Sequence, residues 1–233
     1  HAGPAPALVR SFGLNWDPDE KWSVSGSYEN GRIEDVNTGE FRRTAFSVGL
    51  GFTDEKFQFA TNVEGRFETG ADRNQDVWLV RNTASVQVHP DWRALGRLNF
   101  ALADSGTDDV RLADYVEGAV GFAYRPIHHD RFNLLTRYTF LEDLGPVGQV
   151  TAGGTLAAPK QRSHVFSIDG NLDLHETVTL GLKYAVREGS VSLGRESDQF
   201  VSSNTQLGVA RLDWRIIKEW DVVFETSYLT NDI

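Results

Sequence analysis

Apolar and polar residues alternate with a period of two along nearly the whole chain. From Trp22 to Glu29, Trp22, Val24, Gly26 and Tyr28 share one face, and Ser23, Ser25, Ser27 and Glu29 share the other. From Phe57 to Glu68 the odd positions (Phe57, Phe59, Thr61, Val63, Gly65, Phe67) oppose Gln58, Ala60, Asn62, Glu64, Arg66 and Glu68. Arg131–Thr139 and Thr177–Arg187 repeat the pattern, with Leu135 interrupting the polar face of the former. No window sustains a helical period of 3.6. The alternation predicts twelve β-strands, near 7–16, 21–30, 42–53, 56–68, 77–89, 91–103, 115–125, 131–141, 162–174, 177–187, 203–216 and 220–230. Most run for about ten residues, against about five or six in an ordinary globular strand. Ten tilted residues match the hydrocarbon thickness of a bilayer.

The connections divide into two kinds. Short turns are expected at Asp17–Glu20, Asp54-Glu55, Pro90, Pro126–Asp130, His175-Glu176 and Ile217–Glu219, and long loops near 31–41, 69–76, 104–114, 142–161 and 188–202. Strict alternation of the two puts all tight turns at one end of the strands, the asymmetry of outer-membrane barrels. Aromatic residues crowd the short-turn end: Trp16, Trp22, Phe52, Phe57, Trp92, Tyr124, Phe132, Trp214 and Trp220. Tyr28, Phe67, Phe100, Tyr138, Phe140, Tyr184 and Tyr228 lie toward the other end. Between these belts the same face carries mainly Val, Leu, Ala and Gly. Amphipathic rings favour the membrane–water interface, so two belts around an aliphatic band describe a lipid-facing surface.

The opposite face is charged. Candidate lumen or constriction residues are Glu64, Arg66, Glu68, Arg81, Arg93, Arg97, Arg137, Arg211, Asp213 and Arg215, within a wider set that includes Arg43, Glu117, Asp169, Lys183, Arg187 and Glu225. On a lipid-facing surface one such arginine costs about 2–4 kcal/mol at the midplane. Facing a wet lumen the same charges cost little and can pair across strands. Two readings stand side by side. The charges form a salt-bridged network that holds a barrel interior, or they form a constriction in which Arg81, Arg93 and Arg97 face Glu64 and Glu68. The 142–161 loop, with Gly145-Pro146 and Gly153-Gly154, either folds into the lumen or extends outward. Val77 and Leu79, Leu207 and Val209, and Val223 and Leu229 depart from the pattern by placing apolar side chains on the charged face. In-strand glycines such as Gly170 and Gly208 offer flat seats for lipid or a partner.

Composition narrows the chemistry. The 233 residues include no cysteine, which excludes disulfides, thiolate metal sites and cysteine nucleophiles. No run of about 18 apolar residues is present, so no transmembrane helix is expected. The net charge of −10 has the wrong sign for a general nucleic-acid binder. No P-loop, dinucleotide-binding, HExxH or GxSxG motif occurs. His128-His129-Asp130 is a solvated turn rather than a metal centre, since a structural site usually needs four ligands. Neither a catalytic set, nor a metal, nor a cofactor is expected, and the chain is not read as an enzyme.

The chain resembles the Gram-negative outer-membrane β-barrel superfamily in its aromatic-flanked turns, Trp16-Asp-Pro-Asp-Glu-Lys-Trp22 and Trp214-Arg-Ile-Ile-Lys-Glu-Trp220, and in its alternating strands. Trp22–Tyr28, Gly121–Pro126 and Gln161–Ser167 also resemble the C-terminal barrel region of large proteobacterial repeat-containing surface proteins. The resemblance implies an all-β, antiparallel up-and-down transmembrane barrel in the bacterial outer membrane, with lipid as its surroundings. Twelve strands put His1 and Ile233 on the long-loop side, whereas such barrels keep both ends in the periplasm. The expectation is therefore one barrel domain over 1–233, incomplete at both ends and part of a 14- or 16-stranded barrel. It would be completed by missing parts of its own chain or by other chains. The absence of methionine points to a mature form or an excised segment. The expected function is a passive pore with a charged lumen; the alternative is a non-transporting anchor or scaffold for surface or partner proteins.

Overall fold

In the computed structural model of the chain the described residues are 7–35, 39–70, 74–106, 111–129, 131–144, 160–192, 194 and 199–232. Every regular element among them is a strand. In order these are β1 (Ala7–Trp16), β2 (Trp22–Asp35), β3 (Gly39–Thr53), β4 (Phe57–Gly70), β5 (Asn74–His89), β6 (Trp92–Ser105), β7 (Arg111–Tyr124), β8 (Phe132–Leu144), β9 (Lys160–His175), β10 (Val178–Ser192), β11 (Phe200–Ile217) and β12 (Trp220–Asp232). They form a single sheet in strict sequence order, each strand hydrogen-bonded to its neighbours in the chain. Local pairing of this kind is what short hairpin turns between alternating segments dictate.

The strands reach further than the alternation predicts, mostly away from the short turns. β2 continues to Asp35 and β3 begins at Gly39, so Asn30, Gly31, Arg32, Ile33 and Glu34 are ladder residues opposite Thr44, Arg43, Arg42, Phe41 and Glu40. β10 likewise runs to Ser192, and β11 starts at Phe200. The expected long loops over 31–41 and 69–76 are thus mainly strand, with only 36–38 and 71–73 between strand ends. The physical reason is a change of solvent. Beyond the aromatic belt polar residues such as Arg32 and Glu40, both well exposed, pair through their backbones while apolar alternation stops. Most of the 142–161 loop lies outside the described residues.

Register assigns the faces. In one compact unit, which contains β1–β4 and parts of β5–β8, Phe46, Val48, Leu50 and Phe52 stand opposite Gly65, Val63, Thr61 and Phe59. Phe46, Phe67 and Trp78 form a ring cluster there, with centroids 5.6–6.2 Å apart. A Cβ on Gly65 would fall 2.6 Å from a Phe46 ring carbon and 3.3 Å from Trp78, so glycine is what lets the rings lie across the strand. Trp78 fixes the parity of β5 and places Val77 and Leu79 on the charged side, as the sequence indicates. In the other unit, containing β9–β12 and the remainder of β5–β8, Leu180, Leu182 and Tyr184 oppose Leu172, Gly170 and Ile168.

Exposure is inverted relative to a water-soluble sheet. The apolar face is the open one: Val48 is 54% exposed, Leu182 53% and Val120 56%. Glu68 and Ser163, on the charged face, are buried. Contiguous apolar exposure on this scale marks a surface covered by something other than water. Polar residues sit within it in pairs. Asn82 shares the Trp78 face, where Thr61 Oγ1 donates to its Oδ1 at 2.7 Å and its Nδ2 donates to the Leu98 carbonyl at 3.2 Å. Thr61→Val removes the donor and strands the amide oxygen. The expected loss is about 1–2 kcal/mol of unfolding free energy in lipid vesicles. Thr61→Val with Asn82→Leu should recover most of it, and a double variant as weak as the single one would show that the pair is not buried by lipid.

Candidate functional site

The charged face of the first unit is organised around two carboxylates. Glu68, 1% exposed, stands opposite Arg43 and accepts its Nε–H at 2.9 Å; Arg43 also lies 6.0 Å from the centroid of the Phe41 ring. Glu64 receives two looser contacts, from Arg66 Nη2 at 3.5 Å and Arg81 Nη2 at 3.6 Å. In the second unit Arg97 Nη2 reaches Glu117 Oε1 at 2.6 Å. Arg211 forks onto Asp213 two residues along the same strand, at 2.8–3.0 Å. Arg215 meets Asp221 at 3.4 Å close to the β11–β12 turn, both side chains well exposed. Exposed pairs of this last kind contribute little to stability.

Of the expected constellation of Arg81, Arg93 and Arg97 facing Glu64 and Glu68, each unit shows its own part. Arg81 contacts Glu64, Arg43 contacts Glu68, and in the second unit Arg97 contacts Glu117. Among the described residues Arg93 makes a 3.5 Å contact to Ser85 Oγ. Register sets these contacts: once a strand is paired, its neighbour decides which carboxylate each arginine can reach. Arg43 and Glu117 are the partners missing from the shorter set of candidate residues. Arg43 opposite Glu68 could have been found by stepping outward in register from the Asp54-Glu55 turn.

Among the described residues Arg137, Lys183 and Arg187 have no carboxylate within ion-pair distance. Arg137 belongs to a small notch formed by Leu95, Arg97, Ala119, Gly121, Leu135 and Arg137, with a volume of about 210 Å³. The interrupting leucine of β8 is therefore a wall of this notch. On the apolar face of the same unit an open groove of about 630 Å³ runs past Phe132, Leu134, Gly170, Leu182, Gly208 and Tyr228. A Cβ on Gly208 would meet nothing within 4 Å, so the sheet itself does not require glycine there.

The interface aromatics group by hairpin at the short-turn end. Trp22 contacts Phe52 at 4.7 Å and Phe52 contacts Phe57 at 5.9 Å. Trp92 contacts Tyr124 at 4.7 Å, and Tyr124 contacts Phe132 at 6.0 Å. Trp16, Trp214 and Trp220 project outward, exposed. Beside the first group Lys21 Nζ lies 2.7 Å from Asp54 Oδ1, joining two turns. That hydrogen bond, with the attraction behind it, holds the Lys21 ammonium above its ordinary pKa and the Asp54 carboxyl below its own. Toward the opposite end of the strands the Tyr138 hydroxyl and His164 Nδ1 are 2.7 Å apart, which gives this histidine of the apolar face a polar partner. The described residues contain no group of three or more potential metal ligands, and Asp130 of the His128-His129-Asp130 turn lies outside them.

No family model matches the chain, and no curated protein matches it. Among solved structures, OmpT (in-vitro folded), an outer membrane protein of Vibrio cholerae, matches over 97% of this chain and 85% of its own. The TM-score is 0.52 and the sequence identity 10%. Identity this low speaks for the fold alone, and the likeness to repeat-containing surface proteins gains nothing from it. With the unbroken strand order and the inverted faces, it gives this chain the fold of an antiparallel, up-and-down outer-membrane β-barrel.

Proposed function

We propose that the chain is a passive pore of the bacterial outer membrane, with outer-membrane lipid around it and solutes diffusing along its charged face. The observation that carries this reading is a set of cations that make no ion pair among the described residues. Among the described residues Arg137, Lys183 and Arg187 make no ion pair, on a face that also holds complete ones; Asp169 stands opposite Lys183 without reaching it. A face whose only task is to stabilise a wall gains nothing from leaving charges open, since each adds repulsion without a bond. A water-filled path gains electrostatic selection from the same charges. No covalent step and no cofactor enters the proposal. The complete pairs, Arg43–Glu68 and Arg97–Glu117 above all, favour the second reading, a non-transporting anchor or scaffold with an occluded interior.

Planar-bilayer recording of the purified protein separates the two. Discrete current steps with a preference for anions are expected, and Lys183→Glu with Arg187→Glu should lower the anion-to-cation permeability ratio several-fold. Insertion verified by protease protection, without current steps, would replace the pore by the anchor.

A further inference from the structure

We infer that the notch on β6, β7 and β8 binds small organic monoanions, specifically aliphatic monocarboxylates with a short chain. The inference gives a solute class to the pore proposed above and rests on it for its physiological meaning.

The notch is a trough with two different ends. β6 and β8 both run outward from short turns, so Leu95 and Leu135 lie nearer the turns, and Arg97 and Arg137 lie one step further out on the same faces. β7, between them, contributes Ala119, Val120 and Gly121 to the floor, with Ala119 and Gly121 buried. The floor at Gly121 is held low by the backbone: a Cβ there would come 2.9 Å from the Thr136 carbonyl oxygen. Leu95 and Leu135, on the charged face, are 38% and 39% exposed. Together they offer an apolar patch next to two guanidinium groups.

The local charge sets the valence of the ligand. Arg97 and Arg137 bring two positive charges and Glu117, bonded to Arg97, brings one negative, leaving one positive charge to be met. A carboxylate can take a bidentate pair of N–H donors from Arg137. It can also use donors of Arg97 that its single contact with Glu117 leaves open. A dianion would gain less from a site with one net charge, and a bare inorganic anion would leave the two leucines in water. A short alkyl chain lying toward Leu95 and Leu135 covers them.

The test is equilibrium binding, which needs no current. Purified protein in detergent micelles is titrated with hexanoate, acetate and chloride, by calorimetry and by saturation-transfer NMR. Wild type is expected to bind hexanoate about tenfold more tightly than acetate. Arg137→Gln should weaken both at least tenfold. Leu135→Ser should erase the preference for hexanoate and leave acetate unchanged. Folding of each variant is checked by heat-dependent gel mobility and by β-sheet circular dichroism. Hexanoate binding that survives Arg137→Gln is partition into the micelle and overturns the inference, as does wild type that does not distinguish hexanoate from acetate. Binding as expected without conductance would remove the pore and keep the site. Conductance without hexanoate binding would remove the site and keep the pore.

Discussion

Val48→Arg is expected to cost about 2–4 kcal/mol of folding stability when the protein is unfolded reversibly from lipid vesicles. Val48 sits opposite Gly26 and Val63, between Phe52 toward the short turn and Phe46 toward the other end. Its side chain is more than half exposed. In a water-soluble protein that exposure would make arginine harmless, since surface substitutions usually stay within about 0.5 kcal/mol. The large cost arises only if lipid fills the space around Val48, because a guanidinium in the aliphatic band loses its hydration without gaining a partner. Ser47→Arg supplies the comparison. Ser47 is one residue away on the other face, opposite Glu64, with its hydroxyl bonded to that of Ser27 at 2.8 Å. Arginine there forfeits one exposed hydrogen bond and gains a nearby carboxylate, so a change below about 1 kcal/mol is expected. Urea unfolding followed by tryptophan fluorescence reads both. Equal small effects at the two positions would mean that the apolar face is not in contact with hydrocarbon.

Period-two alternation revealed the strands and their two faces because each side chain here meets one of two very different surroundings. Where the surroundings stop differing, legibility stops too. Past Tyr28 apolar alternation on β2 stops, and Asn30, Arg32 and Glu34 hold the ladder by backbone bonds that leave no trace in hydropathy. The same applies beyond Arg187 on β10. On β5, Val77 and Leu79 blur the alternation on either side of Trp78, and the contacts of Trp78 with Phe46 and Phe67 agree with the parity read from the sequence.

The candidate site was legible residue by residue and illegible as an arrangement. Charged positions announced themselves, but partners depend on register, and register depends on where each turn begins. Across the tight Asp54-Glu55 turn that arithmetic is available, and it pairs Arg43 with Glu68. Between β6 and β7 the connection is long and the strands overrun their apolar segments, so nothing in the sequence sets Arg97 against Glu117. The notch is harder still. It needs three strands in register and a glycine floor, and its one visible sign was Leu135 on the wrong face of an otherwise regular strand.

Arg43→Met is expected to be the most destabilising single change on the charged face, at about 3 kcal/mol or more. The two members of the Arg43–Glu68 pair are unequally sheltered: the Glu68 side chain is 1% exposed and that of Arg43 28%. Removing the arginine takes the 2.9 Å Nε–H donor and its positive charge from an enclosed carboxylate, while the methionine stem still fills the space near Phe41. Removing the carboxylate instead, as Glu68→Gln, leaves an arginine that water can already reach and an amide that can still accept from it. That variant should lose less, on the order of 1–2 kcal/mol. The predicted asymmetry is the informative quantity, because a pair bound only by mutual attraction would suffer equally from either loss. Denaturant unfolding of both variants and of Arg43→Met with Glu68→Leu completes the comparison. The double variant is expected to be more stable than Arg43→Met alone, since no charge is then left enclosed. If Glu68→Gln costs as much as Arg43→Met, shelter of the carboxylate is not what makes this pair matter.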